Sequence, residues 1–352
     1  MSDGVTPART LVTGGAGFIG AELVDRLLSD GAEVTIVDNL ATASADWAER
    51  FGGHSRLTFV EADVTDAGTL EHLMKGHERV VHLAAGTDIA GGFGHPDYDF
   101  VNGIVATHVI CESMRRNGID ELWYASSGVV YGRPARVPTS EGDGPLLPES
   151  HYAAAKLAGE AIVSGFAHLY RWRSFAFRFG NTVGARSDHG IIHDFVVKLL
   201  RDPRRLEILG DGHQAKPYIA VDDLVSGMQL AAALAPRRPV TTLNIGPDGT
   251  ISVRRVAELV IDALGIPGDS VELSYTGRSG SAGGGWPGDT ALVDFDTRAI
   301  RALGWSPRRT VDATIRDAAI GIAGHYRTTG GRLLTGAERR AQSGAGVTEA
   351  SM

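Results

Sequence analysis

Cysteine is almost missing from this chain: Cys111 is the only one in 352 residues. A single thiol closes no internal disulfide, and no His/Cys grouping at metal-ligand spacing accompanies it, so neither a disulfide framework nor a metal centre is expected. Cys111 stands among apolar residues of an expected helix, the setting of a buried, inert thiol. Long apolar runs are missing too. No stretch of about 18 apolar residues occurs, so no membrane-spanning helix is expected. The opening Met1-Ser2-Asp3-Gly4 carries neither the basic nor the apolar block of a secretory signal. These absences lead to the expectation of a cytoplasmic protein that does not engage a membrane. Basic excess is also lacking: the formal net charge of −8 disfavours nucleic acid as a partner. An anionic small molecule remains compatible, because a local pocket can be positive on an acidic protein. With 43% apolar and 22% charged residues the composition is that of a globular protein, and no internal repeat is present.

What is present is a rhythm. Short apolar runs at 9–13, 33–38, 57–62, 79–84, 122–126 and 174–179 alternate with helical patterns at 20–30, 101–116 and 152–170, and a short helix fits 45–51. Such alternation predicts βαβ units and an α/β fold with a doubly wound parallel sheet. Beyond residue 180 the elements shorten, with helices expected at 191–201, 221–235, 253–264 and 311–323 and strands at 206–209 and 242–245. We therefore expect a nucleotide-binding domain over 1–180, joined by later strands from about 206–250. A smaller C-terminal substrate-binding lobe is expected mainly over 181–328. The Gly/Ser/Ala stretch at 279–285 reads as a flexible loop, and the tail at 329–352 as mobile.

Thr13-Gly14-Gly15-Ala16-Gly17-Phe18-Ile19-Gly20 falls where the first strand turns into the first helix. Glycines at 14, 17 and 20 permit a tight turn, close backbone approach to a pyrophosphate and close helix–strand packing, the features of a Rossmann-type dinucleotide site. The helix N-terminus adds free N–H groups and a positive dipole end. Asp38 ends the second strand about 20 residues on, where a carboxylate accepts hydrogen bonds from a ribose diol. It would repel a 2′-phosphate, and no Lys or Arg lies between Asn39 and Asp46, which favours NAD over NADP. The fourth strand ends in His82-Leu83-Ala84-Ala85-Gly86, small residues that let a ribose or nicotinamide pass closely. His82 itself reads as a hydrogen-bonded structural histidine.

The fifth strand ends in Ser126-Ser127-Gly128, and Tyr152 then opens a helix with Lys156 four residues on. That spacing puts phenol and ammonium on one helical face. A tyrosine with a pKa of about 10 is a poor base at neutral pH, but a nearby Lys⁺ and the positive nicotinamide of NAD⁺ favour its phenolate. The pair suits carbonyl–alcohol chemistry, with a strand-end serine hydroxyl orienting the same oxygen. A Tyr and a Lys at this spacing also occur as ordinary surface residues, and it is the position after a dinucleotide half that gives the pair its weight.

Taken together, these residues resemble the extended short-chain dehydrogenase/reductases, and among them the nucleotide-sugar epimerases and dehydratases (UDP-glucose 4-epimerase-like). The resemblance is carried by residues 13–20, Asp38-Asn39-Leu40, Asp63-Val64, residues 82–85, Asn102, residues 126–132, Tyr152-Ala153-Ala154-Ala155-Lys156, residues 178–184, residues 218–223 and Asn244-Ile245-Gly246, and it covers roughly 8–325. It implies NAD as cofactor, contacted by Gly14, Gly17, Phe18, Ile19, Gly20, Asp38, Asn39, Asp63, Val64, Leu83, Ala84, Ala85, Asn102, Tyr152 and Lys156. It implies Tyr152 as general base, Lys156 as its tuning and ribose-binding partner, and Ser127 as the group that orients the substrate hydroxyl. Ser126 and Ser127 would meet the substrate, and Asn181 its diphosphate, with Tyr218 nearby. Asn102 read alone also fits a helix cap, and Asn181 a turn former. Ala155 stands where the family has Ser or Thr, His151 where it has Pro, and Pro217 where it has an acidic residue. Arginine is missing before Gly288-Asp289, which leaves Lys216 and Arg278 as the nearest diphosphate cations.

The family's dehydratases carry Asp-Glu where this chain has Gly128-Val129. The resemblance without that acid/base pair implies a redox 4-epimerase of a nucleotide-diphosphate sugar, working through a 4-keto intermediate. A sugar dehydrogenase or ketoreductase stays open as an alternative, and behind it a dehydratase or decarboxylase and a non-catalytic dinucleotide sensor. By the same analogy a homodimer forms through the helices at 101–116 and 152–170. Val105, Val109, Ala158 and Ile162 suit that interface and suit core packing equally well.

Overall fold

The computed structural model describes residues 8–42, 50–86, 94–277 and 288–328. Arg278, the 279–285 stretch, most of the expected helix at 45–51 and the 329–352 tail lie outside the described residues.

Among the described residues, seven strands form one sheet in the order β11-β6-β5-β4-β1-β2-β3. They are β1 (Thr10–Thr13), β2 (Val34–Asp38), β3 (Leu57–Glu61), β4 (Arg79–His82), β5 (Glu121–Ser127), β6 (Arg173–Phe179) and β11 (Val240–Ile245). Every neighbouring pair is parallel. Parallel strands covered on both faces read as continuous apolar runs. β1 is buried at every residue, and β6 carries Phe175, Phe177 and Phe179 in a row, with the first two rings stacked at 5.3 Å. Strand order reverses between β1 and β4, and the crevice beyond the carboxyl ends of those two strands is where such sheets bind ligands.

Helices α1 (Phe18–Ser29), α2 (Ala67–Leu73), α4 (Ala106–Asn117), α5 (His151–Tyr170) and α7 (Val221–Leu234) belong to this part of the molecule. Gly17 precedes α1 without a side-chain cap, so the N–H groups of its first turn remain for a ligand. α5 starts under Ser150, whose Oγ accepts from the Ala153 N–H at 3.1 Å. The helix expected at 101–116 opens differently. A short helical turn, α3 (Pro96–Asp99), leads into a π-helical turn at Phe100–Val105 before α4 begins. Val109 and Ile162 pack partly buried against the core beneath α4 and α5.

A second hydrophobic core gathers α6 (Ile191–Arg201), α8 (Val253–Ala263) and α9 (Val311–Thr328). Short strand pairs edge it: β7 (Asn181–Val183) with β10 (Tyr218–Ala220), β9 (Ala215–Lys216) with β12 (Ile251–Ser252), and β8 (Arg205–Ile208) with β13 (Glu272–Tyr275). The strand expected at 206–209 thus pairs within this second unit, and from the 206–250 stretch β11 alone joins the large sheet.

Candidate active site

The glycine turn fits a dinucleotide because nothing larger fits the turn. Gly14 has φ +69°, and a Cβ there would lie 2.7 Å from the Ala84 nitrogen. A Cβ on Gly20 would lie 2.1 Å from the Gly14 carbonyl oxygen. The turn is therefore pressed against the end of β4, with Leu83, Ala84 and Ala85 only partly covered. Asp38, 9% exposed at the end of β2, accepts from the Ala16 N–H at 3.0 Å and the Leu40 N–H at 2.9 Å. Burial pushes its carboxyl up from the usual range, and the two N–H groups oppose that. Each carboxylate oxygen keeps a second lone pair, which is what a ribose diol requires. Asn39 Nδ2 donates to Asp63 Oδ2 at 3.0 Å, while Asp63 Oδ1 accepts from the Thr65 hydroxyl at 2.6 Å and its N–H at 2.8 Å. The Thr65 hydroxyl bond is the main reason that the Asp63 carboxyl lies below its ordinary value. Val64 beside it is buried. A cleft lined by Gly17, Phe18, Arg50, Arg186 and Asp188 opens at the start of α1.

Across the switch point, α5 lies so close to β5 that a Cβ on Gly159 would meet the Tyr124 hydroxyl at 2.0 Å. Lys156, 5% exposed, donates from Nζ to the Ala125 carbonyl at 2.7 Å and stands 5.7 Å from the centre of the Tyr152 ring. Burial pushes its ammonium down to about 8, and the Asp99 carboxylate pulls the other way. Burial pushes the Tyr152 phenol up to about 12, its hydrogen bond with Ser127 lowers it, and Asp99 raises it. Tyr152, Lys156 and Ser127 are thus brought together at the carboxyl end of β5. In this state the phenol is held protonated at neutral pH, and a positive charge arriving beside it would favour its ionisation.

His82 is structural in its contacts. Its Nδ1 lies 2.9 Å from Thr13 Oγ1 and its Nε2 3.2 Å from Thr107 Oγ1, and burial pushes the imidazole down to about 3. Cys111 is fully buried, and burial pushes its thiol up to about 12.

Other expected site residues have partners within the protein. The Ser126 hydroxyl is 2.5 Å from Glu160 Oε1, and Glu160 in turn takes Arg178 Nη2 at 2.7 Å and Nε at 2.9 Å. The Ser126 proton is thus directed to a buried carboxylate. Lys216 is ion-paired with Asp289 at 2.8 Å and also donates to the Thr290 carbonyl. Its charge is matched by that carboxylate. Asn102 turns its Nδ2 onto the Tyr98 carbonyl at 2.9 Å, a contact within its own turn and not with Tyr152 or Lys156. Asn181 is exposed, sits opposite Tyr218 in the β7–β10 pair, and is hydrogen-bonded to the Tyr218 side chain.

Sequence reasoning gives no role to Asp99, Glu160 or Arg178. Glu160 stands four residues after Lys156 and was open to discovery as the next residue on that helical face. Asp99 was not, because the π-turn between it and α4 breaks the helical register from which its facing would be counted.

Known proteins match this chain over most of its length. The profile of the NAD dependent epimerase/dehydratase family matches residues 10–246. A UDP-glucose 4-epimerase from Mycolicibacterium smegmatis is 34% identical over 307 residues, covering 85% of this chain and 94% of that protein. A dTDP-glucose 4,6-dehydratase from Actinoplanes sp. is 30% identical over 289 residues, with 77% and 86% covered. The solved structure of a Thermus thermophilus UDP-glucose 4-epimerase in complex with NAD superimposes with a TM-score of 0.78 at 28% identity, covering 90% of this chain and 99% of that one. The family profile runs from the first residue of β1 to just past β11, the whole of the seven-stranded sheet. The chain therefore belongs to the NAD-dependent epimerase/dehydratase family of nucleotide-sugar enzymes, with NAD as its cofactor.

Proposed function

We propose that this protein inverts C4 of a nucleotide-diphosphate sugar. The observation that carries the reading is the space beside Gly128. A Cβ there would lie 2.4 Å from Phe295 Cζ and 2.6 Å from Cε1, and Phe295 is 2% exposed and locked among Val130, Tyr131 and Val293. The acidic residue that elimination would enlist at this position has no room to stand. What remains beside the cofactor is a Tyr, a Lys and a Ser, a set sufficient for moving one proton and positioning one oxygen. The relative from M. smegmatis, named UDP-glucose 4-epimerase, supports the same reading.

Bound NAD supplies a hydride acceptor and then a hydride donor for C4. Ser127 orients the 4-hydroxyl, and Tyr152 as phenolate takes its proton, a role of general base worth about 10²–10⁴-fold. Lys156 supplies the positive charge that favours the phenolate. After the 4-keto sugar has turned its other face, Tyr152 returns the proton and the configuration is inverted. Asp38 and the glycine turn hold the dinucleotide, and the exposed Asn181, hydrogen-bonded to the buried Tyr218 side chain, meets the sugar's diphosphate.

Replacing Tyr152 tests the assignment. Tyr152→Phe should retain NAD and lose sugar conversion by about 10²-fold or more. Conversion at the wild-type rate would remove Tyr152 from the chemistry.

A further inference from the structure

Asn244, near the end of β11, is fully buried, and both its amide protons and its amide oxygen are engaged. Oδ1 accepts from the Tyr131 hydroxyl at 2.7 Å, and Nδ2 donates to the Thr139 carbonyl at 3.0 Å and the Asp296 carbonyl at 3.1 Å. Its backbone N–H goes to Glu141 Oε1 at 2.8 Å, on the side of β11 that carries no further strand among the described residues. Carbonyls only accept, so the amide has one orientation, and an aspartate in its place would have no proton for either. The partners belong to three separate stretches. Tyr131 closes the turn Gly128–Tyr131, which starts at Ser127. Thr139 and Glu141 lie in the stretch 132–150 that leads to Tyr152. Asp296 adjoins Phe295, and the Thr139 backbone brackets that residue, donating to the Asp294 carbonyl and accepting from the Asp296 N–H, both at 2.9 Å. The Phe295 ring, in turn, fills the space over Gly128, and a Cβ on Gly246 would lie 2.8 Å from its Cδ2. One amide on the edge strand thus ties the turn that follows Ser127 to the wall that backs it.

We propose that Asn244 is a positioning residue which, through Tyr131 and Phe295, holds the 128–131 turn and with it the Ser127 hydroxyl against Tyr152 during both hydride transfers. The proposal rests on the epimerase reading above and adds what keeps the intermediate in place. The Ser127 hydroxyl is hydrogen-bonded to the Tyr152 phenol, and Ser127 Oγ accepts from the Val129 N–H at 3.4 Å, so the serine is tied to the turn as well as to the base. When the sugar alcohol gives its C4 hydride to NAD⁺ and its hydroxyl proton to Tyr152, a 4-ketone and NADH result, and return of both restores the alcohol. A ketone that leaves before the return carries off the oxidised sugar and strands NADH on the protein. A Ser127 free to drift loses its hold on the C4 oxygen at that step, and escape gains on return.

Two variants test this. Tyr131→Phe removes one hydroxyl and keeps the ring, while Asn244→Asp keeps the shape and removes both donors. With UDP-glucose as the probe, the number of sugars inverted for each NADH stranded should fall by about tenfold or more in either variant. A merely structural role would lower the rate and leave that ratio unchanged, because unfolded molecules contribute to neither count. Hydrogen exchange needs no sugar. In the NAD-loaded full chain, amides of 128–131, 139–141 and 293–297 should lose protection together, about tenfold in Tyr131→Phe, while those of α1 keep theirs. A ratio unchanged in a protein that inverts the sugar would overturn the proposal. So would exchange that rises equally everywhere, or in 128–131 alone. A wild type that inverts no sugar would instead remove the epimerase reading, and the exchange pattern would still decide whether Asn244 holds the three stretches.

Discussion

His82 is 2% exposed between two threonine hydroxyls, and its imidazole is held down to about 3 against about 6.5 in an unfolded chain. A group whose folded value is depressed contributes stability that is present above the unfolded value. As pH falls from about 6.5 toward 3, the unfolded chain takes up a proton that the folded one refuses, so stability declines through that window. Urea midpoints measured across it should fall for the wild type and fall less steeply for His82→Gln; equal slopes would show that another group dominates. At Gly20 the constraint is steric. A Cβ 2.1 Å from the Gly14 oxygen forces the phosphate turn to open. Gly20→Ala should weaken NAD binding about tenfold or more, roughly 1.4 kcal/mol, in a calorimetric titration.

Between elements, the Arg178–Glu160 pair ties α5 to β6, with side chains 5% and 11% exposed, and Ser126 adds the end of β5. Removing one partner of a buried pair leaves the other uncompensated, at a cost of about 3–5 kcal/mol. Glu160→Gln should lose stability of that order in denaturant unfolding, and a loss under 1 kcal/mol would mean that water reaches Arg178. This network gives Ser126 a protein partner that its sequence position does not show. Adjacent serines look alike in sequence, and what separates them is a carboxylate 34 residues away that bonds to one of them. The strands of the large sheet were legible because double burial writes them as apolar runs. α3 and the π-turn were not, since a four-residue helix and a shifted register leave no period to count. The partner of Lys216 was hidden for a similar reason, its charge being matched by Asp289, 73 residues on.

For the whole molecule, NAD bound at the proposed site would hold together parts distant in sequence: the turn at 14–20, Asp38 at the end of β2, the end of β4, and α5. A ligand that binds the folded state alone stabilises it in proportion to its saturation. NAD at 100 times its dissociation constant should add about 2.7 kcal/mol, read as a higher urea midpoint, and no change would argue that the dinucleotide site is not formed as described. The central claim is that this fold, with its Tyr, Lys and Ser and with Phe295 over Gly128, inverts a sugar carbon and does not eliminate water or release a ketone. The most direct test is to incubate the purified protein with UDP-, dTDP-, GDP- and CDP-sugars, analyse the sugars, and follow NADH absorbance. Interconversion of C4 epimers with no net NADH is the predicted result; accumulation of NADH with a keto sugar, or of a deoxy-keto product, would contradict it.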